Sequence, residues 1–198
     1  MSSLATDNVP SLSRANGAAN VAAELNSAQP AVLLIGYGNL MRSDDGVGPA
    51  IVSRLAAAFF DNPRCVTITT HQLTPELALD VARAMRVVFV DASVELPAGK
   101  AQIRRLIPHV IGNGSQHAHQ NGLSRHVSPE SIMALAMTVG GNMAAQAWAV
   151  AVGVANLSVG DRLSPPVSRT AGRLSRHLAH RIRRWSNPSL SRDSGTSL

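Results

Sequence analysis

Ala31-Val-Leu-Leu-Ile35 is closed by Gly36 and runs straight into Tyr37-Gly-Asn-Leu-Met-Arg-Ser-Asp-Asp-Gly-Val-Gly48, and on this stretch the fold turns. Five apolar residues without alternation, ended by a glycine, suit a strand buried on both faces. Working outward, the pattern alternates. A helix is expected from about Val47 to Phe60, and Val66 to Thr70 is β-like. A second helix is expected over Thr74 to Ala84, with Thr74 as N-cap and Pro75 at the first helical position. Val87-Val-Phe-Val90 is another buried strand, ending at Asp91, and Ala101 to Ile107 reads as a strand nearer an edge. A polar loop follows from Gly112 to Arg125. Ser128-Pro-Glu-Ser131 opens a helix through Met137, Trp148 to Val152 is the last strand, and a basic helix closes the domain. Five strands alternating with helices predict an α/β protein, three layers deep (α/β/α), around a mostly parallel central sheet.

The chain has 198 residues, enough for one α/β domain with spare length at its ends. Residues 1–30 are rich in Ser, Ala and Asn and read as a disordered leader. Residues 31–185 form the single domain, and 186–198 read as a disordered tail. No apolar run approaches the ~20 residues of a spanning helix, and the first 30 residues lack the pattern of a signal peptide. A cytoplasmic protein with no membrane contact is expected. The single cysteine, Cys65, rules out an internal disulfide and lies in an apolar β-like stretch, as a buried, inert thiol would.

The formal charge is +6. The excess is concentrated in Arg169, Arg173, Arg176, Arg181, Arg183 and Arg184. Arg173-Leu-Ser-Arg-His-Leu-Ala-His-Arg-Ile182 has the spacing of an amphipathic helix with Leu174, Leu178 and Ile182 inward and the arginines in water. No aromatic residues are interleaved for base stacking, so no nucleic-acid partner is expected.

Three groups of residues carry chemistry. The turn after the first strand lacks the third glycine of a dinucleotide fingerprint, since Met41 stands there, and no phosphate loop is present. What it presents is Asp44-Asp45 beside flexible backbone, a pair suited to a cation, with one Asp capping the helix and the other free for chemistry. Asp91 follows a buried strand, a frequent active-site placement and as often a loop cap. His71, His109, His117, His119 and His126 supply imidazoles. One His with two carboxylates and open positions would make a nickel or zinc site, and spacing alone does not choose among the five.

Gly36-Tyr-Gly-Asn-Leu-Met-Arg-Ser-Asp-Asp-Gly-Val-Gly-Pro49 resembles the opening motif of the hydrogenase maturation proteases. Further segments resemble that family in order. They are His71-Gln-Leu-Thr-Pro-Glu-Leu-Ala78, similar to members serving bidirectional, NAD-linked hydrogenases, then Val88-Phe-Val-Asp-Ala92, His126-Val-Ser-Pro-Glu-Ser-Ile-Met-Ala-Leu-Ala136 and Val152 to Pro165. The resemblance covers about residues 31–184. It implies a phosphorylase/hydrolase-like α/β/α fold and an endopeptidase that trims the C-terminus of a nickel-loaded [NiFe] hydrogenase large-subunit precursor. It also implies a catalytic and metal-binding set carried over to Asp45, Asp91 and His126, with nickel supplied by the substrate as the recognition signal. Many members have Glu where Asp45 stands. A shifted alignment would promote His119 over His126, and His71 is placed near the site as a contact residue. Two other readings remain: a non-catalytic metal-binding chaperone of hydrogenase assembly, and a peptidyl-tRNA hydrolase-like esterase. The latter family shares the Gly-x-Gly-Asn opening but leaves Asp44-Asp45-Gly-Val-Gly48 unexplained.

Overall fold

The computed structural model describes residues 29–107, 127–140 and 146–187. The leader, the tail from residue 188 and the loop bearing His109, His117, His119 and His126 lie outside the described residues. The elements in chain order are β1 (Val32–Tyr37), α1 (Val47–Ala58), β2 (Cys65–Thr70), α2 (Leu77–Arg83), β3 (Arg86–Ser93), β4 (Ala101–Leu106), α3 (Pro129–Thr138), β5 (Gln146–Gly153) and α4 (Pro165–Ser186). A short 3-10 turn, Ser43–Gly46, precedes α1.

The sheet has strand order β2-β1-β3-β5-β4. β1 pairs in parallel with β2 and β3, and β3 with β5, while β4 runs antiparallel to β5 at the edge. The expected three-layer, mostly parallel α/β architecture is the observed one. Every residue from Val32 to Ile35 is buried, because β1 is covered on both faces. Leu34 joins Val88, Val150 and the inward residues of α1 and α4, among them Ile51, Leu55, Leu174, Leu178 and Ile182. Leu33 and Ile35 point the other way, to Phe89 and to Leu77, Val81, Ile132 and Met133 of α2 and α3. The arginine-rich helix behaves as its periodicity requires, with Arg169, Arg173, Arg176, Arg183 and Arg184 exposed and Arg181 half-buried. No described helix is long and apolar enough to cross a membrane.

Two elements differ from expectation. α2 begins at Leu77 rather than after an N-cap at Thr74. Its entry is tightened, since Leu77, Ala78 and Leu79 donate to the carbonyls of Thr74, Pro75 and Glu76, each three residues back. The closing helix is longer than the segment that suggested it. It starts at Pro165-Pro166, where two missing N–H groups cause no loss. Cys65 is half-buried in β2, and burial pushes its thiol up to about 11, so it is an inert packing residue.

The topology fixes where a ligand can sit. From β1 the chain crosses to β2 on one side, then returns past β1 to β3 on the other. The loops leaving β1 and β3 therefore diverge, and a crevice opens beyond the carboxyl ends of these neighbouring strands.

Candidate active site

The loop leaving β1 is shaped by close approaches. Gly38 has φ of +137°, outside the range of ordinary L side chains. At Gly48, near the start of α1, a Cβ would overlap the Val90 carbonyl and stand 2.6 Å from that of Tyr37. Only a bare backbone lets α1 start so close to the ends of β1 and β3. Gly48→Ala is expected to lose about 2 kcal/mol or more in urea unfolding, with a matching fall in activity, because backbone must move to admit the methyl group. An unchanged midpoint would refute this account.

Within the loop, the Asn39 side chain accepts from Met41 N at 2.8 Å, and Asn39 N donates to Asp45 Oδ2 at 3.0 Å. Asp45 is thus oriented by the turn that carries it, with its carboxylate open to the crevice. Asp44 points the other way and is fully buried. Its Oδ2 accepts from Ala155 N and Asn156 N at 2.9 Å each and from the Ser164 hydroxyl at 2.8 Å, while Oδ1 accepts from Ser164 N at 2.6 Å. Burial by itself would raise its pKa. The hydrogen bonds from Ser164, Ala155 and Asn156 outweigh that and hold it below the usual carboxylate value.

The expectation that one of the two aspartates caps the following helix is corrected here. The N-cap of α1 is Gly46, with no side-chain bond. Asp44 instead holds Ser164, the N-cap residue of α4, whose own hydroxyl is engaged on Asp44 and makes no cap bond. A carboxylate at that helix start is favourably placed against its dipole. The same junction explains the closing segment from Val152 to Pro165. Ser43, at a left-handed φ of +46°, donates through N to Gly160 O at 2.8 Å and through Oγ to Ser158 O at 3.0 Å. Arg42 Nε reaches Leu157 O at 3.3 Å.

Asp91 lies in the last turn of pairing of β3, directly across from Ala151 of β5. Its Oδ1 accepts from Ala92 N at 2.7 Å and its carboxyl accepts the Tyr37 hydroxyl. Burial pushes its pKa up to about 6. The Ala92 and Tyr37 hydrogen bonds pull it back part of the way, and the neighbouring Asp45 charge pushes it up again. Burial, then the Asp91 charge, holds Tyr37 far above the ordinary phenol value, so Tyr37 stays a neutral donor. Asp91, with its raised pKa, and the Asp45 charge that helps raise it sit in one cleft, the arrangement that marks functional sites.

Asp45 and Asp91 line a common cavity of about 640 Å³ together with Tyr37, Asn39, Arg42 and His71. Its far wall is the start of α3, at Val127, Ser128 and Pro129. That helix is capped by Ser128, whose Oγ accepts from Ser131 N at 3.1 Å, and is tied to β4 by the Arg104–Glu130 ion pair. Burial alone would raise Glu130, but the Arg104 hydrogen bond prevails and keeps it ionised below its ordinary pKa.

No protein-family model matches the chain, and no curated protein does. Several solved structures resemble it. A [NiFe] hydrogenase maturation protease, HycI, from Thermococcus kodakarensis superposes with a TM-score of 0.59 at 19% identity, over 82% of this chain and 99% of that one. A hydrogenase 2 maturation peptidase from a Thaumarchaeota archaeon gives 0.54 at 23% identity, covering 77% and 97%. The hydrogenase-maturating endopeptidase HybD from Escherichia coli gives 0.55 at 18%, covering 77% and 91%. The chain shares the fold of these proteases.

Of the residues read from sequence, Asp45 and Asp91 are brought together at the cavity and His71 stands on its wall. His126, and with it the alternative His119, lies outside the described residues. Among the described residues no three His, Cys, Asp or Glu groups form a metal-binding cluster, so His71 does not complete a trio with the two aspartates. Sequence reading missed Tyr37, Arg42 and the structural task of Asp44. Tyr37 had a signal. It is the last residue of β1, and Gly36 on one side and Gly38 on the other leave it the only side chain at the strand's mouth.

Proposed function

We propose that this chain is an endopeptidase that removes a C-terminal peptide from the nickel-loaded large subunit of a [NiFe] hydrogenase during its maturation. The observation that carries this is the convergence of Asp45 and Asp91 on one open cavity, at the switch point of a fold shared with hydrogenase maturation proteases. The residues fit the metal of such a substrate. Two carboxylates, one from the turn after β1 and one from the end of β3, offer oxygen donors on one wall, and an imidazole from His126 would give the mixed oxygen and nitrogen set that suits a borderline divalent ion. In this reading Asp45, Asp91 and His126 complete the coordination of nickel that arrives with the precursor. Tyr37 orients Asp91, and Asn39 orients Asp45. Arg42 places a cation on the cavity's lining. Nickel held there would polarise the scissile carbonyl or activate water. The resemblance of the segment from His71 to Ala78 supports a substrate among the bidirectional, NAD-linked enzymes, and we take the place of action to be the cytoplasm.

The test is processing of a purified large-subunit precursor, with and without nickel, followed by mass spectrometry. Loss of a C-terminal peptide is expected only from the nickel-loaded form. Asp45→Ala and His126→Ala are expected to abolish or severely impair it, and His119→Ala to leave it normal. Damage from His119→Ala alone would move the third ligand to that residue. A verified loaded precursor that stays intact would sink the protease reading in favour of a non-catalytic metal-binding role.

A further inference from the structure

One charged side chain of the cavity is left without a counterpart. The described lining carries two carboxylates, Asp45 and Asp91, and a single arginine, Arg42. Arg42 and Asp45 are three residues apart, and Asp45 N donates to Arg42 O at 3.1 Å, so one tight turn joins them. Even so, they form no ion pair. Among the described residues the ion pairs are Arg104–Glu130 and Asp161–Arg162. Arg42 Nε donates instead to Leu157 O at 3.3 Å, and neither Nη group has a partner among the described residues.

The backbone that carries this guanidinium is tied down. Arg42 N donates to Asn39 O at 3.1 Å. Its neighbours are both bonded to Gly160, whose carbonyl accepts from Ser43 N at 2.8 Å and whose N donates to Met41 O at 3.0 Å. Arg42 itself pairs with Gly160 in an isolated parallel bridge. The residue is nonetheless exposed. A cation held by its backbone and by one nitrogen, with its outer N–H groups unclaimed, is prepared for a planar anion. A guanidinium and a carboxylate match through two parallel N–H···O bonds. A polyanion such as phosphate would also meet Asp45 and Asp91 in the same cavity, so the single charge of a carboxylate is the better fit.

We propose that Arg42 is a specificity-determining residue that receives a carboxylate of the precursor bound in this cavity, from an acidic side chain or from the free end of the chain. This role rests on the endopeptidase function proposed above and adds to it a requirement on the substrate's sequence. Its contribution falls on binding, since the pair holds the chain without touching the bond that breaks.

Processing of the nickel-loaded precursor is measured for Arg42→Gln, for Arg42→Lys and for the unaltered protein. Glutamine keeps a donor for Leu157 O and removes the charge. KM is expected to rise ~10-fold in Arg42→Gln and less in Arg42→Lys, with kcat within about threefold. Arg169→Gln, an exposed charge on α4, is expected to leave KM unchanged. Precursors with each acidic residue of the C-terminal segment changed to its amide, and one with an amidated end made by ligation, locate the partner. The change that matters raises KM for the unaltered protein and adds nothing in Arg42→Gln. An unchanged KM in Arg42→Gln, a fall in kcat alone, or full additivity for every altered precursor would overturn the proposal and leave the endopeptidase function standing. If the precursor is not cut, that function falls and binding alone decides. The full chain is then treated with phenylglyoxal, which modifies accessible guanidinium groups. N-acetylglycine, acetyl-glutamate amide, acetyl-glycine amide or sodium chloride is present at matched ionic strength, and mass spectrometry reads each arginine. Modification of Arg42, and not of Arg169, is expected to slow about threefold or more with one or both carboxylates. Equal modification of Arg42 in all four would overturn the proposal.

Discussion

Asp91→Asn is expected to eliminate processing and, in the same protein, to raise stability above pH 6. The loss follows from chemistry. Under the function proposed above, Asp91 would help complete a metal's coordination, a contribution of several kcal/mol to the transition state, so its removal is expected to lower the rate by about 10³-fold or more. The gain follows from burial. Asp91 has its pKa pushed from 3.8 to about 6, so its ionised form is disfavoured in the folded state. A raised carboxylate pKa adds stability at acid pH, where both states are protonated, relative to neutral pH. That contribution is lost as pH rises from about 4 through about 6. A shift of about two units corresponds to ~3 kcal/mol at most. Asparagine keeps an acceptor for Ala92 N and the Tyr37 hydroxyl but never ionises. Urea unfolding of the two proteins should therefore diverge with pH, nearly equal at pH 4 and with the variant ahead at pH 8. Parallel curves across that range would refute the burial account, and full activity in the variant would remove Asp91 from the site.

Asp44→Ala is expected to be the most destabilising single change in the loop, although it touches no part of the cavity. Four hydrogen bonds end on that carboxylate, three of them from backbone N–H groups of residues 155, 156 and 164. Truncation leaves those donors unpaired in a fully buried place. Losses of this type run to about 3–5 kcal/mol. The damage should be local first. Amide exchange should quicken over residues 155–164, and activity should fall because the turn that aims Asp45 is anchored on the same segment through Ser43 and Arg42. A loss below about 1 kcal/mol would show that the junction is ornamental.

The two neighbouring aspartates mark how far the sequence could be read. That an Asp pair follows β1, and that one member is available for chemistry, was legible because a five-residue apolar run ended by glycine suits a buried strand leading into a turn. The division of labour was not. Asp44 is committed to residues more than a hundred positions later, and no local pattern of 3.6 or 2 residues encodes such a partner. The register of β1 beside β3, which sets Asp45 near Asp91, is likewise long-range, although the rule that ligands bind beyond strand ends anticipated the outcome. The start of α2 was misplaced by two residues because Thr74-Pro75 is a good helix opening in isolation. In the fold the chain is still making its tight turn into the cavity wall at that point.

The clasp between Asp44 and Ser164 also orders events in time. Its halves are 120 residues apart in the chain. A nascent chain that has emerged only through β3 already holds both Asp45 and Asp91, yet lacks the strand, the loop and the helix start that fix the turn carrying Asp45. Long-range closure of this kind comes late in folding. The turn that carries Asp45 is therefore held in place only once the chain as far as Ser164 has joined the fold.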